Sequence, residues 1–233
     1  MEEDMKKGLV YYTDNVPPKK FLKTIRTHLK RVSNGISIVW VSQRPIDEEN
    51  NIVLRGLSRS HHSRCLQILT GVKKLDVDVI YFAEHDVIYH PSHFDFLPKD
   101  KDVFYYNLNR WWLRSSDGKT CFREAQSLSQ LVAYKGIIED FYIRRMAYYA
   151  DGIKIGCGNE PGKHVIPELP PYKNGSFYSK WPNIDIRHSH NYTRSNKFKA
   201  EYELRDEIPF WGKTKDRYEE FIKGLDGTIF DTN

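Results

Sequence analysis

The 233 residues are 39% hydrophobic and 29% charged, which excludes a disordered or membrane-embedded chain and leaves material for a core of substantial size. Thirty-six Lys and Arg against 31 Asp and Glu make a mild basic excess that suits a polyanionic ligand such as a nucleotide diphosphate, and permits nucleic acid or an anionic surface without requiring either. The three cysteines, Cys65, Cys121 and Cys157, lie far apart with no CxxC, and neither a signal-like opening nor an 18-residue apolar window is present, so a cytoplasmic protein with no zinc cluster and no stable membrane insertion is expected.

Residues 8–13 (GLVYYT) predict a strand, broken by Asp14-Asn15 and Pro17-Pro18. Residues 19–32 place Phe21, Leu22, Ile25, Leu29 and Val32 at helical spacing, and Ser33-Asn34-Gly35 stops that helix. The β-branched run 36–42 (ISIVWVS) predicts a buried strand, so the chain opens strand–helix–strand, the pattern of a parallel sheet. Residues 43–57 read as irregular, 58–74 as helix, 78–83 (DVIYFA) as a third buried strand and 103–108 as a fourth. A turn is expected at 114–119 with Asp117-Gly118 at its tip, a short strand or helix start at 129–135, and a helix over 137–149. Beyond Gly152 come a glycine-rich loop at 156–162 (GCGNEPG), a Pro- and Tyr-rich stretch at 167–182, a strand at 183–187 and a charged helix at 213–224.

Three groups of residues carry candidate chemistry. Glu84-His85-Asp86 follows directly on a buried strand, at the edge where open α/β sheets bind ligands. Carboxylates at i and i+2 of an extended chain point the same way and can share one hard cation that bridges a diphosphate, although an acidic solvated loop has the same composition. His188, with His190 as second choice, can add an imidazole beside Asp86, with Asn191 orienting whichever one binds. Glu160 stands between glycines that let backbone approach a substrate, and can serve as a general base or simply fill a turn.

In their order, these features resemble the GT-A glycosyltransferases, in particular the family 2-like and polypeptide-GalNAc-transferase-like branches. The matching segments are YYTDN with Thr13 and Asp14, the DxD-like Glu84-His85-Asp86, the hydrophobic unit SQLVAYKGIIEDF at 129–141, the loop GCGNEPG with Glu160, and DIRHSHN with His188. The resemblance spans roughly residues 8–195. The first DxD position is Glu84 rather than Asp, and Asn precedes rather than follows the acid of the base loop.

The resemblance implies an α/β, GT-A (Rossmann-like) fold with one mostly parallel central sheet flanked by helices. It implies a single catalytic domain over 1–233, with a nucleotide-sugar half at about 8–110 and an acceptor and catalytic half at about 111–233. It implies Mn²⁺ or Mg²⁺ on Asp86, His188 and Glu84, and a nucleotide-sugar donor, a UDP-sugar foremost, held by Thr13, Asp14, Arg59, Arg64 and Glu84. Glu160 is the implied base of an inverting transfer, with Asp140 as second choice. Trp111 and Trp112 offer a stacking platform for the acceptor. That acceptor is either a glycan or lipid-linked sugar, or a hydroxymethylated base in DNA, as in phage DNA modification, for which the pairs Arg144-Arg145 and Lys73-Lys74 speak. Two other classes remain: a non-catalytic nucleotide or nucleic-acid binding module, and a metallohydrolase drawing ligands from His61, His62, His90 and His93.

Overall fold

The computed structural model describes residues 5–153, 160–162, 172–192 and 202–222. Cys157, most of the glycine-rich loop and residues 167–171 of the Pro-rich stretch lie outside them.

In chain order the elements are β1 (Lys7–Thr13), α1 (Lys19–Val32), β2 (Ser37–Ser42), β3 (Asn51–Val53), α2 (His61–Lys74), β4 (Val79–Glu84), β5 (Val87–Ile88), β6 (Val103–Asn107), β7 (Arg110–Arg114) and β8 (Thr120–Phe122). There follow β9 (Leu131–Tyr134), α3 (Lys135–Ala150), β10 (Lys173–Phe177), β11 (Asn183–Arg187), β12 (Glu207–Ile208), β13 (Gly212–Lys213) and α4 (Thr214–Arg217). A central seven-stranded sheet runs β10-β6-β9-β4-β1-β2-β3, and only β9 pairs antiparallel with its neighbours. The α/β architecture expected from the sequence, a mostly parallel sheet flanked by helices, is the one observed.

Strand alternation divides the core. Val10 and Tyr12 of β1 and Ile80 and Phe82 of β4 face one side, where α2 and α3 cover them; Leu9, Tyr11, Val79, Tyr81 and Ala83 face the other, towards Leu29 and Val32 of α1. At Gly71 a Cβ would stand 2.6 Å from Val10 Cγ1, so the absence of a side chain there lets α2 lie close on β1.

A second, four-stranded sheet, β5-β11-β7-β8, packs through Ile88, Trp111, Leu113, Ile184 and Ile186 against Phe21, Leu22 and Ile25 of α1. The sequence pattern did not announce this sheet. The two sheets also interleave across residue 110: β9 and β10 join the central sheet, while β5 joins the second. The charged helix expected at 213–224 is a short α4 continued by a wider helical turn through Ile222.

Candidate functional site

The parallel strands β1, β2 and β4 end together, and above their carboxyl ends lies a cavity of about 690 Å³, counted to the open solvent. Five segments build it, Gln43 just past the end of β2 being one. From β1 come Tyr12, Thr13 and Asp14; from α2 and the residue pair before it, Arg59, Ser60, His61, Arg64 and Gln67; from the end of β4, Glu84, His85 and Asp86; from the end of β11, Arg187, Asn191 and Tyr192. This is the edge at which open α/β sheets take their ligands.

The floor is fixed by backbone-directed bonds. Gln67 Nε2 donates to the carbonyls of Thr13 (2.8 Å) and Val41 (3.2 Å), tying α2 to the ends of β1 and β2. Asn15, in the left-handed region at φ 58°, accepts the amides of Gln43 and Arg44 at 2.9 Å each. Ser60 caps α2, its hydroxyl accepting the Ser63 amide at 3.1 Å. The helix therefore opens into the cavity with its positive end, beside Arg59 and Arg64.

Glu84 and Asp86 part company. Glu84 is the last residue of β4 and keeps the strand's alternation, so it points to the α2 side and accepts the Tyr12 hydroxyl at 2.6 Å. Burial, then the nearby Asp86, raises its pKa to about 7. Beyond it the chain turns into β5, and the i, i+2 rule no longer applies. Asp86 is carried towards the second sheet, where its carbonyl accepts the Ile186 amide at 2.8 Å.

There Asp86 meets the end of β11. His188 Nε2 lies 3.9 Å from Asp86 Oδ2, and donor atoms of His85, Asp86 and His188 all lie within 4.8 Å of one another. The imidazole expected beside Asp86 is thus His188, but the third member of the cluster is His85 and not Glu84. Asn191 binds both partners: its Nδ2 donates to Asp86 Oδ2 (2.6 Å), and its Oδ1 accepts the His188 amide (2.7 Å). Burial, then Asp185, pushes the Asp86 carboxyl upward, and burial, then His85, pushes His188 down to about 2.

The residues present fit a cation. His188 Nε2 is buried without a hydrogen-bond partner. Two donors on one metal with bonds of about 2.1 Å stand no more than about 4 Å apart. The 3.9 Å between Asp86 and His188 is within that span and beyond a hydrogen bond. Two imidazoles and a carboxylate suit Mn²⁺ or Zn²⁺ better than the oxygen-preferring Mg²⁺.

The other sequence candidates fall as follows. Thr13 is buried, its hydroxyl accepting the Asn15 amide. Asp14 Oδ2 pairs with Arg59 Nε at 2.6 Å, and Arg59 Nη2 reaches the His190 carbonyl while its guanidinium lies 5.4 Å from the Tyr192 ring. Arg64 turns into the site, with Nη2 at 3.0 Å from His61 Nδ1. Glu160 is half-buried and, like Asp140, not among the residues that line the cavity, although it is close enough to His61, Tyr106 and Tyr142 to influence their ionisation; the Tyr106 hydroxyl donates to the Pro161 carbonyl beside it at 2.5 Å. The ring of His190 is 5.9 Å from that of His188 and outside the three-donor cluster.

Four expectations are corrected. Asp140 sits on α3, bonded to Arg144 (2.9 Å) and Tyr172 (2.5 Å), and does not line the cavity. Trp111 and Trp112 belong to β7, where they are only 6% and 9% exposed, and Arg123 and Arg187 each stand 4.9 Å from the Trp112 ring. They pack the second sheet, and neither lines the cavity at the ends of β1, β2 and β4; Trp111 instead borders a separate surface hollow with Arg205 and Phe210. Arg144-Arg145 is not an exposed basic pair, because Arg145 is buried and Arg144 is paired. Nor do His61, His62, His90 and His93 gather: among the described residues, His85, Asp86 and His188 are the one set of three such donors close enough to share an ion.

No protein-family model matches the sequence. No curated protein matches it either. Among solved structures, the chain is similar to a glycosyltransferase involved in the glycosylation of the major capsid of PBCV-1, with 9% identity, 73% of this chain and 81% of that one covered, and a TM-score of 0.44. It is also similar to a nucleotidyl transferase from Methanothermobacter thermautotroptrophicus (11% identity, 65% and 85% covered, TM-score 0.38). A third is the inositol-1-phosphate CTP transferase from T. maritima (9% identity, 80% and 91% covered, TM-score 0.40). At such identities and scores a likeness assigns no activity. No helix among the described residues is long and apolar enough to cross a membrane.

Proposed function

We propose that the chain is a metal-dependent glycosyltransferase that takes a sugar from a nucleotide diphosphate. One observation carries the reading: a cavity at the carboxyl edge of a parallel sheet combines a helix amino terminus and three arginines, Arg59, Arg64 and Arg187, with a carboxylate–imidazole donor cluster at one side. Arginines and a helix amino terminus bind phosphate. In this reading Thr13 and Asp14 border the nucleoside, Arg59 and Arg64 hold the diphosphate, and Glu84 stays with Tyr12 as part of the wall.

His85, Asp86 and His188 are the residues that would hold Mn²⁺. Bound there, the ion supplies positive charge against the charge that develops on the leaving diphosphate. Glu160 accepts the proton of the acceptor hydroxyl, which attacks the anomeric carbon from the face opposite the diphosphate, so the transfer inverts. The acceptor is a glycan or lipid-linked sugar, or a base in DNA; of the two basic pairs that speak for DNA, Arg144-Arg145 is half lost to the burial of Arg145, while Lys73-Lys74 is exposed.

The test is thermal stabilisation by UDP-, GDP- and dTDP-sugars, each with Mn²⁺ and with EDTA, for the wild type and Asp86→Asn. The expected result is a shift with one donor that needs the metal and is lost in the variant. A metal-independent shift that Asp86→Asn and Glu160→Gln leave intact identifies a non-catalytic nucleotide-binding module instead. No shift with any donor overturns the reading.

A further inference from the structure

Outside the cavity, the second sheet carries a hollow of about 1040 Å³, counted to the open solvent, that shares no lining residue with it. One wall is the hairpin of β12 and β13, where Ile208 pairs with Gly212. Buried Ile208 and Trp211 anchor this hairpin in the core that includes Phe21 and Ile25 of α1, and Trp211 Nε1 donates to the Pro182 carbonyl at 2.8 Å. A backbone bridge between Thr120 and Arg205 ties the approach to the hairpin to β8.

Between those anchors Phe210 is held outward. It lies at φ 70°, a left-handed backbone that a bulky residue rarely takes and that Gly adopts freely. At 58% exposure it is the most exposed large apolar side chain among the described residues. Gly or Asn would serve the turn better on both counts, and an outlier of this kind points to a function. The ring has aromatic company: Trp181 lies 5.6 Å away at 34°, and His90 meets it edge-on at 4.2 Å. Trp111 also lines the hollow, and the ring of the exposed Phe122 is 6.0 Å from its own. The polar neighbours are flat: Arg205, whose guanidinium stands 5.8 Å from the Trp111 ring, and the carboxylates of Asp206 and Glu207.

We infer that this hollow binds a carbohydrate chain, at a site separate from the cavity. A sugar ring has an apolar C–H face that stacks on aromatic rings, and a rim of hydroxyls that bond to guanidinium and carboxylate groups. Aromatic rings and planar charged groups side by side meet both needs. Other occupants fit less well. Two acids against one arginine line the hollow, which disfavours nucleic acid and an anionic membrane. Three charged residues among its eight are too many for the centre of a protein interface. The inference stands without the transferase reading; joined to it, it selects a glycan as the acceptor, gripped away from the reacting hydroxyl.

The experiment titrates cellohexaose, maltohexaose, chitohexaose and mannohexaose into the full chain by calorimetry, with EDTA and no nucleotide sugar. At least one hexaose is expected to bind. Phe210→Gly weakens it by about tenfold or more, as for the loss of a central aromatic contact. Because Gly takes the left-handed backbone freely, that variant keeps its fold, which a thermal melt checks. Glu207→Ala weakens binding less, and Asp86→Asn, altered in the cavity, binds as the wild type does. Donor turnover is not read, so the result stands apart from that of the transferase test. Binding of no hexaose, or binding that Phe210→Gly leaves unchanged, overturns the inference. Binding lost in Asp86→Asn also overturns it, because the sugar then sits in the cavity. A dimer in sedimentation that Phe210→Gly dissolves assigns the patch to a second copy instead, and Phe210-dependent binding to phosphatidylglycerol vesicles assigns it to a membrane.

Discussion

Two buried histidines show how differently this chain treats the same side chain. His28 lies on α1 beneath the second sheet, and both ring nitrogens are engaged: Nε2 at 2.8 Å from the Tyr89 carbonyl and Nδ1 at 3.1 Å from Arg31 Nη2. His188 lies at the end of β11, where Nδ1 is engaged but Nε2, equally buried, has no hydrogen-bond partner and faces a carboxylate at 3.9 Å. Burial keeps both rings neutral. A buried polar atom left without a partner costs on the order of 1–3 kcal/mol. The region around His28 avoids that cost, and the region around His188 carries it. The first is built for stability and the second for something that arrives.

The largest expected effect tests the second region directly. Asp86→Asn keeps the shape and the contact with Asn191 but removes the anionic ligand, so donor turnover falls by about a thousandfold. The fold survives, because Asp86 is anchored through its carbonyl to Ile186. Steady-state transfer with each donor, beside a thermal melt, measures both. Turnover within tenfold of the wild type contradicts the assignment.

His28 gives the next effect, and it is one of pH. Its folded pKa lies at about 4, below the ordinary value of 6.5, chiefly through burial. The unfolded chain therefore binds the proton first, and the stability from neutral His28 is complete above pH 6.5 and lost as the pH falls through 4. The loss amounts to about 3 kcal/mol at most. His28→Gln, which can still donate to the Tyr89 carbonyl, removes this part of the pH dependence. Urea unfolding of both proteins at pH 7.5 and 4.5 should show a smaller drop for the variant; equal drops contradict the sign.

Sequence and structure agree best where periodicity speaks. The helix at 19–32 and the strands at the ends of which the cavity lies were legible because apolar residues repeat at 3.6 or run continuously. The site was legible as a collection of residue types: Glu84-His85-Asp86 after a strand, and a histidine after a later one. Which of the three faces the histidine was not, because the chain turns between β4 and β5 and ends the alternation on which the i, i+2 argument stood. β7 was missed since Arg110 and Arg114 frame its tryptophans, and a buried arginine declares itself only once Asp185, a long way along the chain, is seen at 2.8 Å. β10, KNGSF, is a polar edge strand with a central glycine and carries no strand signal. Asn191 was noticed as a neighbour of the histidines, but its bond to Asp86 joins residues more than 100 positions apart and has no local signature.

Gly71→Ala separates stability from the site. The added Cβ meets Val10 Cγ1 at 2.6 Å in the last turn of α2, a strain of about 2 kcal/mol that the better helix propensity of Ala offsets only in part. The melting temperature falls, while Zn²⁺ affinity per folded molecule stays unchanged, since the cavity lies at the other end of the helix. A matching loss of metal affinity means that the site depends on the exact seat of α2.

Asn191→Ala makes the opposite separation and the smallest change. The side chain touches no ligand in the proposed complex; it holds the Asp86 carboxylate and the His188 backbone in register. Supporting residues of this kind are worth about tenfold in metal affinity. Removing it frees Asp86 to rotate and leaves the His188 amide without its acceptor, so Zn²⁺ binds about tenfold more weakly. Asn191→Asp restores the acceptor for that amide but brings a second carboxylate against Asp86. Without metal the two acids repel, and with metal the added charge strengthens binding. Calorimetric titration of Zn²⁺ into the three proteins should therefore rank the Asn191→Asp variant above or level with the wild type and the Asn191→Ala variant below it. A purely structural Asn191 lowers the melting temperature in both variants and leaves that ranking flat.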